Sequence, residues 1–168
     1  DSKPRKALEK GDFNGDGKAD LLVVKRDHSY RVISFKQLLV SPWIEAEIIG
    51  QGTFYFSFHD DKQYLFGDFN GDGKTDIMHP NVTGVGCEDH DYCNTWYIYY
   101  SNPKLDNGDF FEITNQQITS YMPRRDYSQS SHTNLYYAID VNKDGKSDLV
   151  RFELQDVYSA TFHHWNES

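Results

Sequence analysis

Asp12-Phe-Asn-Gly-Asp-Gly-Lys-Ala-Asp20 returns as Asp68-Phe-Asn-Gly-Asp-Gly-Lys-Thr-Asp76 and again as Asp140-Val-Asn-Lys-Asp-Gly-Lys-Ser-Asp148. Each copy sets oxygen-bearing side chains at loop positions 1, 3, 5 and 9, with Gly at position 6. A hard cation such as Ca²⁺ takes six to eight oxygens at short range, and a tight loop offers them from alternate residues. Gly17, Gly73 and Gly145 let the backbone turn sharply enough for the carbonyl of Lys18, Lys74 or Lys146 to join the set.

The opening of each loop reads like an EF-hand loop, but the ending does not. Position 12, where an EF-hand places a bidentate Glu, holds Val23, His79 and Arg151. The last carboxylate comes early, at Asp20, Asp76 and Asp148, and an apolar pair follows at once: Leu21-Leu22, Ile77-Met78 and Leu149-Val150. Leu21–Val24 is short, apolar and partly β-branched, which predicts a buried strand rather than a helix. Aromatic or β-branched runs follow after a brief gap, at 30–35, 96–100 and 160–165, and further strand-like runs at 63–66 and 135–139 precede the second and third loops. The unit is strand, acidic loop, strand, turn, strand. The loops start at 12, 68 and 140, so they recur after 56 and 72 residues (68 − 12 and 140 − 68), periods that indicate a repeat architecture. Sustained helical periodicity is missing; at most a turn or two of helix fits Phe35–Leu39 and Pro42–Ile49.

The pattern resembles the FG-GAP or VCBS repeats of integrin-like β-propellers, in which each repeat is a four-stranded blade and the acidic loop joins its first two strands around Ca²⁺. That resemblance implies an all-β fold of about three antiparallel blades, over about 8–62, 63–133 and 134–168, the last incomplete. It implies up to three Ca²⁺ ions. Their side-chain ligands would be Asp12, Asn14, Asp16 and Asp20; Asp68, Asn70, Asp72 and Asp76; and Asp140, Asn142, Asp144 and Asp148. Two departures stand out. Lys143 replaces Gly15 and Gly71, which demands strain or a different φ there, and Lys3–Lys10 is a poor strand, so the first blade is expected to lack or fray its innermost one.

Closed propellers have four to eight blades, whereas 168 residues make about three. An open array exposes strand edges and an apolar flank. With no initial Met, the chain reads as part of a longer protein whose other blades lie elsewhere in it; closure by several copies is the alternative.

Aromatics are 15% of the residues and hydrophobics only 38%, so Tyr and Phe are expected to fill much of the core, with a sugar-stacking surface as the competing reading. The net charge of −9 argues against a nucleic-acid partner. Nine loop Asp account for most of that charge, and three divalent ions would bring it to about −3. No apolar run of about eighteen residues spans a membrane.

Cys87 and Cys93 enclose Glu-Asp-His-Asp-Tyr. A disulfide, which indicates an oxidising compartment, is favoured over a metal site with His90, because the spacing matches no zinc pattern. Asn81-Val-Thr83 and Asn166-Glu-Ser168 are glycosylation sequons. No nucleophile elbow, Walker loop or zinc-protease helix occurs, and the adjacent His163 and His164 point to opposite faces of a strand. Arg124-Arg125 with Tyr121 and Tyr127 would suit a polysaccharide lyase.

These features support a secreted or surface module that binds a protein or glycan, such as the propeller of a bacterial toxin or adhesin. A carbohydrate-active enzyme and a purely structural shell are the alternatives.

Overall fold

The computed structural model describes residues 7–37, 44–56, 58, 63–81, 93–103, 108–121, 133–155 and 159–165. Those residues form three antiparallel sheets and no helix. The first sheet runs in chain order through β1 (Ala7–Gly11), β2 (Asp20–Val24), β3 (Ser29–Gln37) and β4 (Ile44–Thr53). The second repeats that order with β5 (Leu65–Gly67), β6 (Asp76–Asn81), β7 (Cys93–Ser101) and β8 (Phe111–Tyr121). The third holds β9 (Thr133–Ile139), β10 (Asp148–Gln155) and β11 (Ser159–Trp165). The fold is all-β, built from blades of the propeller type.

Two local expectations need correction. Lys3–Lys10 looked too polar for a strand, yet Ala7–Gly11 pairs with β2 from Ala7↔Val24 to Gly11↔Asp20. Its alternation explains this: Ala7 is buried, Leu8 and Lys10 are exposed, and Gly11 is small enough for the neighbouring blade to approach. The second concerns the turn or two of helix allowed at 35–39 and 42–49, of which 35–37 and 44–49 are strand and the rest lies outside the described residues. β3 continues to Gln37 and β4 starts at Ile44, the two paired from Ser29↔Thr53 to Gln37↔Ile44. Ladder pairing supplies the backbone partners that a short isolated helix would have to find internally.

The apolar cores lie between the sheets, one at each joint. Phe13, Leu22, Val24, Tyr30 and Val32 of the first blade pack with Ile77, Tyr99, Phe110 and Phe111 of the second, around Phe54 and Phe58 from the connection. Leu65, Phe69, Met78, Trp96 and Ile98 of the second blade pack with Tyr136 and Leu149 of the third. Ile77 and Met78 are adjacent in β6 and point to opposite faces, so the middle blade contributes to both cores. Aromatic rings dominate, as their frequency in the sequence implies. Phe13 meets Phe111 edge-on at 5.8 Å, and Trp96 meets Tyr136 at 4.9 Å. Such contacts add to the area-driven stabilisation of large rings.

Candidate metal centres

Each acidic loop joins the first two described strands of its sheet: β1 to β2, β5 to β6 and β9 to β10. The first-position carboxylate organises the loop. Asp12 Oδ1 accepts the amides of Gly15 and Asp16 at 2.8 and 3.1 Å, and Oδ2 accepts Gly17 N at 2.7 Å. Asp68 does the same for Gly71, Asp72 and Gly73, and Asp140 accepts Lys143 N and Gly145 N. The third-position Asn is a smaller version of this device, with Asn14, Asn70 and Asn142 each accepting the amide two residues on. At position 5, Asp16, Asp72 and Asp144 accept the amides of Lys18, Lys74 and Lys146.

The ninth-position Asp differs from the others because it is buried. Asp20, Asp76 and Asp148 are at most 3% exposed, and each Oδ2 accepts the amide of the second-position residue: Phe13, Phe69 or Val141. Asp76 Oδ1 also accepts Ser101 N at 2.8 Å, tying the loop to β7. Burial pushes the Asp76 carboxyl up to about 7 against the pull of the Ser101 and Phe69 amides, with repulsion from Asp72 and Asp68 adding to the rise. Asp20 is raised for the same first reason. Ser34 stands near enough to favour the charged Asp20, but Oδ1 of Asp20 completes no hydrogen bond of proper geometry and is buried without a partner.

Two fifth-position carboxylates, Asp72 and Asp144, keep their charge more easily. Burial works against Asp72, but the Lys74 ammonium, the Lys74 amide and Asn70 hold its carboxyl below the usual range. Lys18 Nζ lies 3.3 Å from Asp16 Oδ2, and Lys74 pairs with Asp72 in the same way. In this arrangement the carboxylates serve the loop's own amides and lysines. Among the described residues, no three His, Cys, Asp or Glu side chains converge as a metal site requires. The donor set itself is hard, all oxygen, and includes one buried carboxylate oxygen with no hydrogen-bond partner. That chemistry fits Ca²⁺ better than a softer ion.

Some residues that matter here were not singled out from the sequence. Thr75 N donates to Asp12 O at 2.7 Å, and Asp12 N donates to Thr75 Oγ1 at 3.0 Å; Ser147 N donates likewise to Asp68 O. Position 8 of one loop therefore fastens to position 1 of the loop before it. Gly11 and Gly67 make room for this contact, because a Cβ there would come within 2.7 Å of Thr75 Cγ2 and 2.6 Å of Ser147 Oγ. The signal in the sequence was the hydroxyl at position 8, present as Thr75 and Ser147 but replaced by Ala19 in the first loop. Lys143 adopts φ 64°, the same left-handed conformation as Gly15 and Gly71 at 78° and 79°. Cys87 and the side chain of Cys93, the Arg124-Arg125 group with Tyr127, and both sequon side chains lie outside what is described.

Stacked antiparallel sheets with a capped acidic loop at the first turn of each define a repeat protein of the propeller class. Residues 12–79, which hold the first two loops, match the FG-GAP-like repeat family. It is also similar to a T-cell immunomodulatory protein homolog of Plasmodium falciparum (isolate 3D7), with 34% identity over 101 residues. The match covers 56% of this chain and 12% of that protein. No solved structure matches the chain.

Proposed function

We propose that the chain is a calcium-stabilised recognition module of an extracellular or surface protein. The observation that carries the calcium half is the buried ninth-position Asp. Burial disfavours the charge of Asp20 and Asp76, and Asp20 Oδ1 has no hydrogen-bond partner, which supports a cation as the group that would stabilise these carboxylates. Asp12, Asn14, Asp16 and Asp20 would hold one ion, with Asp68, Asn70, Asp72 and Asp76, and Asp140, Asn142, Asp144 and Asp148, holding the others. The carbonyls of Lys18, Lys74 and Lys146 would complete the sets. A bound ion would draw the loop's carboxylates together and hold the registry of the two strands that flank each loop.

The recognition half is supported by the repeat type and by the name of the Plasmodium relative, which describes an immunomodulatory protein. No helix among the described residues is long and apolar enough to cross a membrane. The ligand of such a module would be a protein or a glycan, held by the surfaces that the blades present.

Calorimetric melting with and without calcium tests the metal. A ligand that binds only the folded state stabilises it by about 2.7 kcal/mol per site when present at 100 times its Kd. Melting should rise with calcium and fall on chelation. Superimposable curves in calcium and in EDTA would sink the proposal.

A further inference from the structure

The loops do not account for a cleft of about 230 Å³ between the first two blades. Its walls carry Tyr30, Thr53, Tyr55, Asp109, Glu112 and Ile113, with further aromatic rings beneath. The volume falls below the range of about 300–1,000 Å³ that encloses drug-sized ligands, so the space admits a single small ring. Tyr55 is 87% exposed, unlike the aromatics that fill the cores, and Ile113 beside it is 49% exposed.

Three features give the cleft its chemistry. The first is a flat, solvent-facing ring. The second is a pair of carboxylates, Asp109 and Glu112, with no Lys, Arg or His among the lining residues. Glu112 is braced by Asn102 Nδ2 at 3.0 Å. The third is the Tyr30 hydroxyl. Its oxygen accepts the amides of Phe110 and Phe111 at 2.9 and 3.1 Å, which uses both lone pairs and leaves its O–H as a donor. Gly52 lets Asp109 and Tyr30 close in on the backbone here, since a Cβ there would come within 2.4 Å of both Asp109 Oδ1 and Tyr30 Oη.

We propose that this cleft is a saccharide subsite for one uncharged pyranose ring, stacked on Tyr55 with its hydroxyls shared between Asp109, Glu112 and Tyr30. A pyranose offers an apolar face and a rim of groups that both donate and accept, which matches a flat ring beside mixed donors and acceptors. A guanidinium only donates, so it could pair with the carboxylates but could not itself accept from the Tyr30 O–H. A uronate or other acidic sugar would meet two carboxylates with no cation to offset them. The site rests on the recognition reading above and names its ligand class, and it does not depend on whether the loops hold calcium.

The test is amide-shift mapping on the isotope-labelled chain, titrated separately with methyl glycosides of neutral hexoses and N-acetylhexosamines, a methyl uronide, and methylguanidinium chloride. One neutral glycoside should shift the amides of Tyr55, Phe111 and Glu112 saturably, with a Kd on the order of millimolar for a ligand of that size. Tyr55→Ala and Glu112→Gln should each weaken it about tenfold or more, with folding unchanged because both side chains are exposed. The uronide should bind at least about tenfold more weakly. Saturation by methylguanidinium alone, or no saturable shift with any neutral glycoside, would overturn the proposal. Calcium-dependent melting read on the same sample separates failure of this site from failure of the metal reading.

Discussion

Thr75 and Asp12 exchange two hydrogen bonds across the joint between the first and second blades, one from the Thr75 amide and one to the Thr75 hydroxyl. The contact joins two successive acidic loops, so each loop is an inter-blade fastening as well as a turn. Thr75→Val keeps the shape and removes the acceptor, leaving the Asp12 N–H without its partner at a part-buried joint. The expected loss is about 1–3 kcal/mol, read from the urea midpoint, with Thr75→Ser close to the parent. Equal midpoints for Thr75→Val and the parent would remove the hydroxyl from the account.

Gly15 and Lys143 occupy the same loop position with the same backbone conformation but different surroundings. A Cβ at Gly15 would come within 3.1 Å of Lys74 Cγ, while the third loop accommodates the whole Lys143 side chain, which is exposed. Gly15→Ala should therefore cost at least about 1 kcal/mol, from positive φ and crowding together. Lys143→Gly should gain up to about 1 kcal/mol by relieving the left-handed conformation. Opposite signs in chemical denaturation are the expected result.

Asp72 and Asp76 lie in one loop and should respond differently to substitution. Asp76→Ala leaves the Ser101 and Phe69 amides without their acceptor in a fully buried place. That should cost about 2–4 kcal/mol in EDTA, with the second loop's share of the calcium-dependent stabilisation lost as well. Asp72→Ala, at the loop's exposed side, should change mainly the calcium-dependent part of the melting temperature. A pair of melts for each variant separates the two roles.

Phe13 and Val141 hold the second position of their loops. Phe13 is fully buried between blades, whereas Val141 is 39% exposed. Phe13→Ala should cost about 3–5 kcal/mol, as large-to-small changes at core rings do, and Val141→Ala well under that. Equilibrium unfolding of both variants checks the contrast.

Burial pushes the Tyr99 phenol up to about 12, above its ordinary value near 10. Between those values the unfolded chain releases this proton while the folded chain keeps it, so folding stability falls as pH rises from about 10 to about 12. Below pH 10 the contribution is intact. The loss is up to about 2–3 kcal/mol, and Tyr99→Phe should flatten that limb of the stability profile.

The propeller blades were legible because the acidic loop and the apolar run after it are both local signals. β2 begins at Asp20, the residue that closes the first loop. β1 was not legible: it has a single buried apolar residue, Ala7, and its remaining stability comes from pairing with β2 and from the neighbouring blade's approach at Gly11. β4 was equally obscure. Its burial pattern is almost wholly exposed, so its place in the sheet comes from the ladder with β3 rather than from hydrophobic alternation. Nothing in the sequence marked the cleft either, because Tyr30, Tyr55 and Glu112 are far apart in the chain and meet only through the packing of two sheets.

By itself the sequence determined that this chain repeats, that its repeats are β, and which oxygens each loop offers, since all three follow from residue spacing over nine positions or fewer. Tertiary structure alone decided what those oxygens do. It buried the ninth-position Asp and hooked Thr75 and Ser147 onto the preceding loops. The reason is physical: burial and contacts between blades depend on residues sixty or more positions away, and no local pattern encodes which face of one blade meets the next.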